Sequence, residues 1–126
     1  MTTGSEVIAR LRARLAIQVA APLAVSRAAQ QHVLDEDSAA YAEIDLRRGD
    51  TFTIVVVLGS LPEDQFIVDV WHRHAREVWL IDAREERVYL ASAGEAVRVV
   101  DRTATLRSPE LPGVAIPVDA LFAPPS

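Results

Sequence analysis

The 126-residue sequence contains no cysteine, so neither a disulfide framework nor a Cys-ligated zinc or iron–sulfur site can be built from it. It also contains no lysine, since all 13 of its cationic residues are arginine. That excludes Schiff-base chemistry and the lysine-dependent phosphate loop of Walker type. Aromatic residues make up 6% of the chain. No apolar run approaches the ~18 to 20 residues that a membrane helix needs. The opening Met1-Thr2-Thr3-Gly4-Ser5-Glu6 lacks the basic and apolar regions of a secretory signal, so a cytoplasmic protein without a membrane partner is expected.

What is present describes a foldable domain. Half of the residues are hydrophobic and a quarter are charged, with 13 cations against 18 anions and a net charge of -5. A chain of this length buries roughly two thirds of its unfolded surface, enough for a core without staples. One domain over 1–126 is expected, with flexible ends at 1–4 and 123–126. Net acidity disfavours indiscriminate binding to nucleic acid, although a local arginine patch remains compatible with it.

Hydrophobic spacing sets out the order of elements. Ser5 is a candidate cap for a helix carrying Ile8, Leu11, Leu15 and Val19 on one stripe, with Pro22 beyond its end. Leu23 to Leu34 alternates poorly, and Asp35-Glu36-Asp37-Ser38 reads as a turn. A short extended segment, Tyr41 to Leu46, is followed by the turn signal Arg47-Arg48-Gly49-Asp50. Phe52 to Leu58 is β-branched and apolar on both faces, which predicts a central strand buried from both sides.

Gly59-Ser60-Leu61-Pro62 ends that strand, and Pro62-Glu63-Asp64 supplies residues favoured at a helix start. The helix is predicted to carry Phe66, Ile67, Val70, Trp71 and His74 on a broad face. Val78 to Asp82 returns to strand, Arg87–Ala91 and Ala96–Val100 form a further pair around Ala93-Gly94-Glu95, and Gly113–Ile116 precedes a last helical turn at Val118–Phe122. The predicted class is α/β (α+β), a mixed central sheet flanked by helices.

Several strings in this order resemble the Uma family of restriction-endonuclease-like proteins, a bacterial branch of the PD-(D/E)xK superfamily. Arg76-Glu77-Val78-Trp79-Leu80-Ile81-Asp82-Ala83 resembles the family's "EYWLVDP" strand, and Leu106-Arg107-Ser108-Pro109-Glu110-Leu111-Pro112-Gly113 followed by Leu121-Phe122 resembles its terminal "SPLLPGL…LF" signature. Asp37 to Leu46 is similar to the family's first acidic strand. The resemblance implies a shortened restriction-endonuclease-like fold in which two carboxylates hold magnesium or manganese and a lysine orients the nucleophile.

Carried onto this chain, the resemblance places the family's Asp at Asp45, with Ile44 where a proline usually stands. The metal-binding Glu falls at Val56, the lysine at Phe66, and the helix tyrosine at Val70. An eroded active site follows, with no cofactor expected. The implied function is a non-catalytic binding or assembly module that forms a homodimer or pairs with an active relative. The alternative is an active DNA endonuclease that uses Asp45 with Asp50, Glu63 or Asp64 and a divalent ion. A third possibility is a small-molecule or toxin-neutralising partner with no nucleic-acid role.

Other candidate features have plainer readings. His72 and His74 lie two apart on the predicted helix, so they point to different sides and cannot share an ion. Trp71 and Trp79 could stack on bases but also suit a core. Arg10, Arg12 and Arg14 could meet phosphate or form a solvated flank, and Asp35-Glu36-Asp37 lacks the spacing of a calcium loop.

Overall fold

The computed structural model describes residues 2–123. Its elements run α1 (Gly4–Gln18), β1 (Leu23–Val25), β2 (Gln30–Asp35), β3 (Ser38–Ala42), β4 (Ile44–Arg48), β5 (Thr51–Leu58), α2 (Gln65–His72), β6 (Ala75–Asp82), β7 (Arg87–Ser92), β8 (Arg98–Asp101), β9 (Thr105–Leu106), β10 (Ile116–Pro117) and α3 (Val118–Phe122). Six strands form a central sheet in the order β1-β4-β5-β6-β7-β8, while β2–β3 and β9–β10 make separate two-stranded ribbons. Within the central sheet β5 and β6 are parallel, joined by the crossover helix α2, and every other pair is antiparallel. The α/β class with a mixed central sheet and flanking helices is therefore the observed one.

The apolar run of β5 explains its central place. Ile54 and Val56 join the core under α1 and the C-terminal segment, whereas Val55 and Val57 join the core under α2. Burying each such side chain stabilises the fold by about 1.5–3 kcal/mol. On the first face Val7, Ile8, Leu11 and Leu15 of α1 meet Leu121 and Phe122 of α3. On the second, Val68 and Trp71 of α2 pack with Ala42 of β3 and Val78 and Leu80 of β6.

Several boundaries differ from the expected ones. Thr3, rather than Ser5, caps α1, its hydroxyl accepting from the Glu6 N–H. The segment from Tyr41 to Leu46 is not one strand but two: β3 pairs with β2 in the ribbon, and β4 joins the central sheet. A break at Glu43 allows the change, with the Glu43 N–H donating to Val56 O and its carbonyl accepting from Arg12. Arg47 and Arg48 belong to β4, so the turn shrinks to Gly49-Asp50, where Gly49 takes φ +62°.

Helix α2 begins at Gln65, after a turn in which the Asp64 carboxylate accepts from the Ser60 N–H at 2.8 Å. Its buried residues are Val68 and Trp71, while Phe66, on the broad face expected, is 66% exposed. Flexible ends were expected at 1–4 and 123–126. Gly4 starts a helix and the buried Thr2 hydroxyl donates to Phe122 O at 3.0 Å, whereas Met1 and residues 124–126 lie outside the described residues. Among the described residues no helix is long and apolar enough to cross a membrane.

Candidate functional site

Asp45 is the second residue of β4, directly opposite Val55 of β5. Opposed residues of an antiparallel pair project to the same face, so Asp45 points to the α2 side. It is 1% exposed. Both of its carboxylate oxygens are engaged: Oδ1 lies 3.1 Å from Arg47 Nε, and Oδ2 lies 3.0 Å from His32 Nε2. The Arg47 contact is an ion pair, and His32, in the tautomer that carries its proton on Nε2, donates a hydrogen bond to Oδ2. Ser26 fixes the backbone beneath, its Oγ accepting from the Asp45 N–H and its own N–H donating to Asp45 O, both at 2.9 Å.

An aromatic group closes over the pair. His32, Phe52 and Trp71 meet edge to face with ring centroids 5.0 to 6.0 Å apart, and the Arg47 guanidinium lies 5.6 Å from the centre of the Phe52 ring. The Trp71 indole N–H donates to Tyr41 O, which ties α2 to the ribbon. His32 is the member that sequence reasoning missed. Its signal was the inward pair His32 and Leu34, two apart on β2, in a segment whose other residues do not alternate.

The register decides which residue of β5 shares a face with Asp45. Val56, the place expected for the second acid, belongs to the α1 core on the opposite face from Asp45. Val55 is the residue that faces the same way, and neither is acidic. Of the other expected acids, Asp50 is exposed in the β4–β5 turn, and Glu63 and Asp64 line a cavity beyond the end of β5. Among the described residues there is no group of three or more His, Cys, Asp or Glu side chains able to hold a metal ion. The donor set at Asp45 does not fit a divalent cation, because its one carboxylate is already paired with a guanidinium, whose charge repels a second cation.

A second buried carboxylate stands on the other face. Glu77 of β6 lies opposite Ile54 and is 1% exposed. Among the described residues it has no ion-pair partner, and it accepts instead from Trp79 Nε1–H at 2.5 Å, Ser92 Oγ–H at 3.0 Å and Ser108 Oγ–H at 3.1 Å. These bonds join β6 and β7 to the C-terminal segment, a structural use for the acid of the "EYWLVDP"-like strand.

The remaining expected features take structural positions. Trp71 and Trp79 are both buried. His72 Nε2 lies 3.0 Å from Ala91 O, while His74, past the end of α2, lies 3.4 Å from Asp35 Oδ2, so the two histidines have separate partners. Arg10 donates to Leu121 O and Ala123 O, and Arg12 to Glu43 O. Asp35 Oδ1 accepts from the Asp37 N–H and forms the β2–β3 turn.

No family model matches the sequence, and no curated protein matches it. Solved structures do match. One is the crystal structure of a DUF820 protein from Anabaena variabilis, described as a candidate nuclease. It superposes with a TM-score of 0.73 over 98% of this chain and 83% of its own, at 14% sequence identity. At that identity the likeness is one of fold, and the chain has a nuclease-like fold.

Proposed function

We propose that this chain is a non-catalytic member of the Uma-type branch of the restriction-endonuclease-like fold, acting in the cytoplasm as a binding or assembly module. The observation that carries this reading is the closure of Asp45: His32 and Arg47 occupy its two oxygens, and an apolar Val55 stands across from it. The absence of lysine from the whole sequence supports the same reading. An arginine cannot replace that lysine as a proton donor, because guanidinium stays charged at any physiological pH.

Assembly is supported by apolar side chains left at the surface. Phe66, at the position where the resemblance places the lysine, is joined by Tyr41 and Leu58 around an apolar groove of about 270 Å3 between β3 and α2. Apolar grooves of this kind serve as contact surfaces. The occupant in this reading is a second copy of the chain or a related protein, and neither magnesium nor manganese takes part.

Nicking of supercoiled DNA in magnesium and in manganese, beside calorimetric titration of both ions, tests the catalytic side. Silence in both is expected, and metal-dependent cleavage that disappears in Asp45→Ala would overturn the proposal in favour of an active endonuclease. Light scattering after size-exclusion chromatography tests the assembly side. The expected dimer reverts to monomer in Phe66→Glu, and a monomeric parent protein that also fails to capture an active relative refutes it.

A further inference from the structure

A cavity of about 400 Å3 opens at the start of β5 and β6, beside the β4–β5 turn, and is lined by Arg48, Thr51, Thr53, Arg76 and Glu110. It shares no residue with the Asp45 group. Arg48 and Thr51 are directly opposed on β4 and β5, so their side chains project to one face. Thr53 joins them through the register irregularity: Leu46 pairs with Ile54 and Arg47 with Phe52, which leaves Thr53 as the extra residue of a bulge. Bulges re-aim a side chain in this way. Arg76 comes from the neighbouring β6, one residue beyond the Phe52–Ala75 pair.

Thr53 is the informative member. It is 7% exposed, and among the described residues its hydroxyl has no hydrogen-bond partner, yet the oxygen is not sealed from solvent, so it opens into the cavity that the residue lines. A buried hydroxyl normally has a partner. Both guanidiniums beside it belong to exposed residues: Arg48 makes no ion pair among the described residues, and Arg76 lies 3.9 Å from Glu110 Oε1. That distance is too long for a hydrogen bond, so the N–H groups of Arg76 remain available.

We propose that this cavity binds the phosphate of a small-molecule monoester. Two guanidiniums and two hydroxyls can all donate to it, and a guanidinium matches phosphate oxygens with a pair of parallel N–H bonds. A monoester carries close to two negative charges at neutral pH and offers three terminal oxygens, enough for both arginines and the Thr53 hydroxyl. The diester of a nucleic-acid backbone offers one charge and two free oxygens, and its chain must continue on both sides of a group that has to reach a buried hydroxyl. Glu110, the one acid of the wall, opposes the anion and is outweighed by the two cations.

The test is an amide NMR titration of the full chain, at constant ionic strength, with phenyl phosphate, dimethyl phosphate and a short DNA duplex. Phenyl phosphate is expected to give saturable shifts over Arg48 to Thr53 and at Arg76 with a dissociation constant of about 1 mM or lower, while the diester and the duplex bind about tenfold more weakly or not at all. Arg48→Gln and Arg76→Gln, both at exposed positions, each lower the affinity about tenfold, the loss of one charged hydrogen-bonding partner. Thr53→Val keeps the shape, removes the hydroxyl and lowers the affinity about fivefold, whereas Thr53→Ser restores it. Should Thr53→Val fail to fold, as judged by circular dichroism, the two arginine variants keep the test decisive. No saturable shift with phenyl phosphate, equal affinity for dimethyl phosphate or the duplex, unchanged affinity in either arginine variant, or unchanged affinity in a folded Thr53→Val would each overturn the assignment.

Discussion

Asp45 and Glu77 lie on opposite faces of one sheet and are satisfied by opposite means. Asp45 relies on a guanidinium and an imidazole, Glu77 on an indole and two hydroxyls. Glu77→Ala leaves three donors without their acceptor, so a loss of about 3 kcal/mol is expected, while Glu77→Gln keeps one acceptor oxygen and loses less. Urea unfolding of both variants checks the order, and equal losses would remove the three-donor account. At Asp45 the expected cost of Asp45→Asn is about 2 kcal/mol, and Arg47→Ala together with Asp45→Asn costs less than the sum of the two changes, because they share one interaction. Strict additivity in that double-mutant cycle would show that the pair is not coupled.

How far these residues were legible follows from where their partners come from. The strand carrying Asp45 stood out as a short acidic segment before a turn, but nothing near it in sequence announces His32, which arrives from another ribbon. Which residue of β5 shares a face with Asp45 was illegible for a related reason. A side-chain period of two means that an error of one residue in register exchanges the faces, and β4 and β5 carry a register irregularity between Leu46 and Arg47.

At the scale of elements, long apolar runs were easy to read and short polar ones were not. β5, α2 and β6 form the crossover unit that the order of Val, Ile and Trp residues predicts. β2 and β3 were blurred because a ribbon with one exposed face needs few apolar residues. The ribbon's turn gives a pH prediction. The Asp35 carboxylate accepts from the Asp37 N–H, a bond that holds its pKa below the ordinary 3.8, with lesser contributions from Ser38 and His74. Because the folded value is the lower one, the turn's contribution to stability is fully present above pH ~3.8 and fades as pH falls through the folded value. A carbon-detected NMR titration should place the Asp35 midpoint below that of a model peptide, and a midpoint at or above it contradicts the turn geometry.

The loop after β5 depends on one glycine. A Cβ on Gly59 would stand 2.7 Å from Asp64 Oδ2 and 3.2 Å from Leu80 Cδ2, so Gly59→Ala must push the Asp64 carboxylate off the Ser60 N–H or shift β6. A loss of about 1–3 kcal/mol is expected from this overpacking, read as a lower urea midpoint. An unchanged midpoint would mean that the loop has room that this arrangement denies it.

At the scale of the whole molecule the sheet separates two cores, and each holds one tryptophan: Trp79 under α1, Trp71 under α2. The variants Trp71→Phe and Trp79→Phe therefore report the two layers separately. Since β5 contributes alternate residues to both, the layers should unfold together, with fluorescence and far-UV circular dichroism giving one midpoint within each variant. Distinct midpoints for the two probes would show that the layers melt independently. The nuclease-like scaffold was legible at this scale because both cores draw on the same few apolar strings, whereas the closing of the chain on itself was not.

That closing is made by side chains from the beginning of the chain reaching carbonyls at its end: Thr2 to Phe122, and Arg10 to Leu121 and Ala123. Position 2 and position 123 are thus neighbours in space, so a brief glycine-rich bridge could join them while the polypeptide is opened elsewhere, for instance at the exposed Gly94 bend between β7 and β8. Such a circularly permuted protein should keep both hydrophobic layers, and any tag or fused module attached at either extremity will emerge from one and the same corner of the molecule.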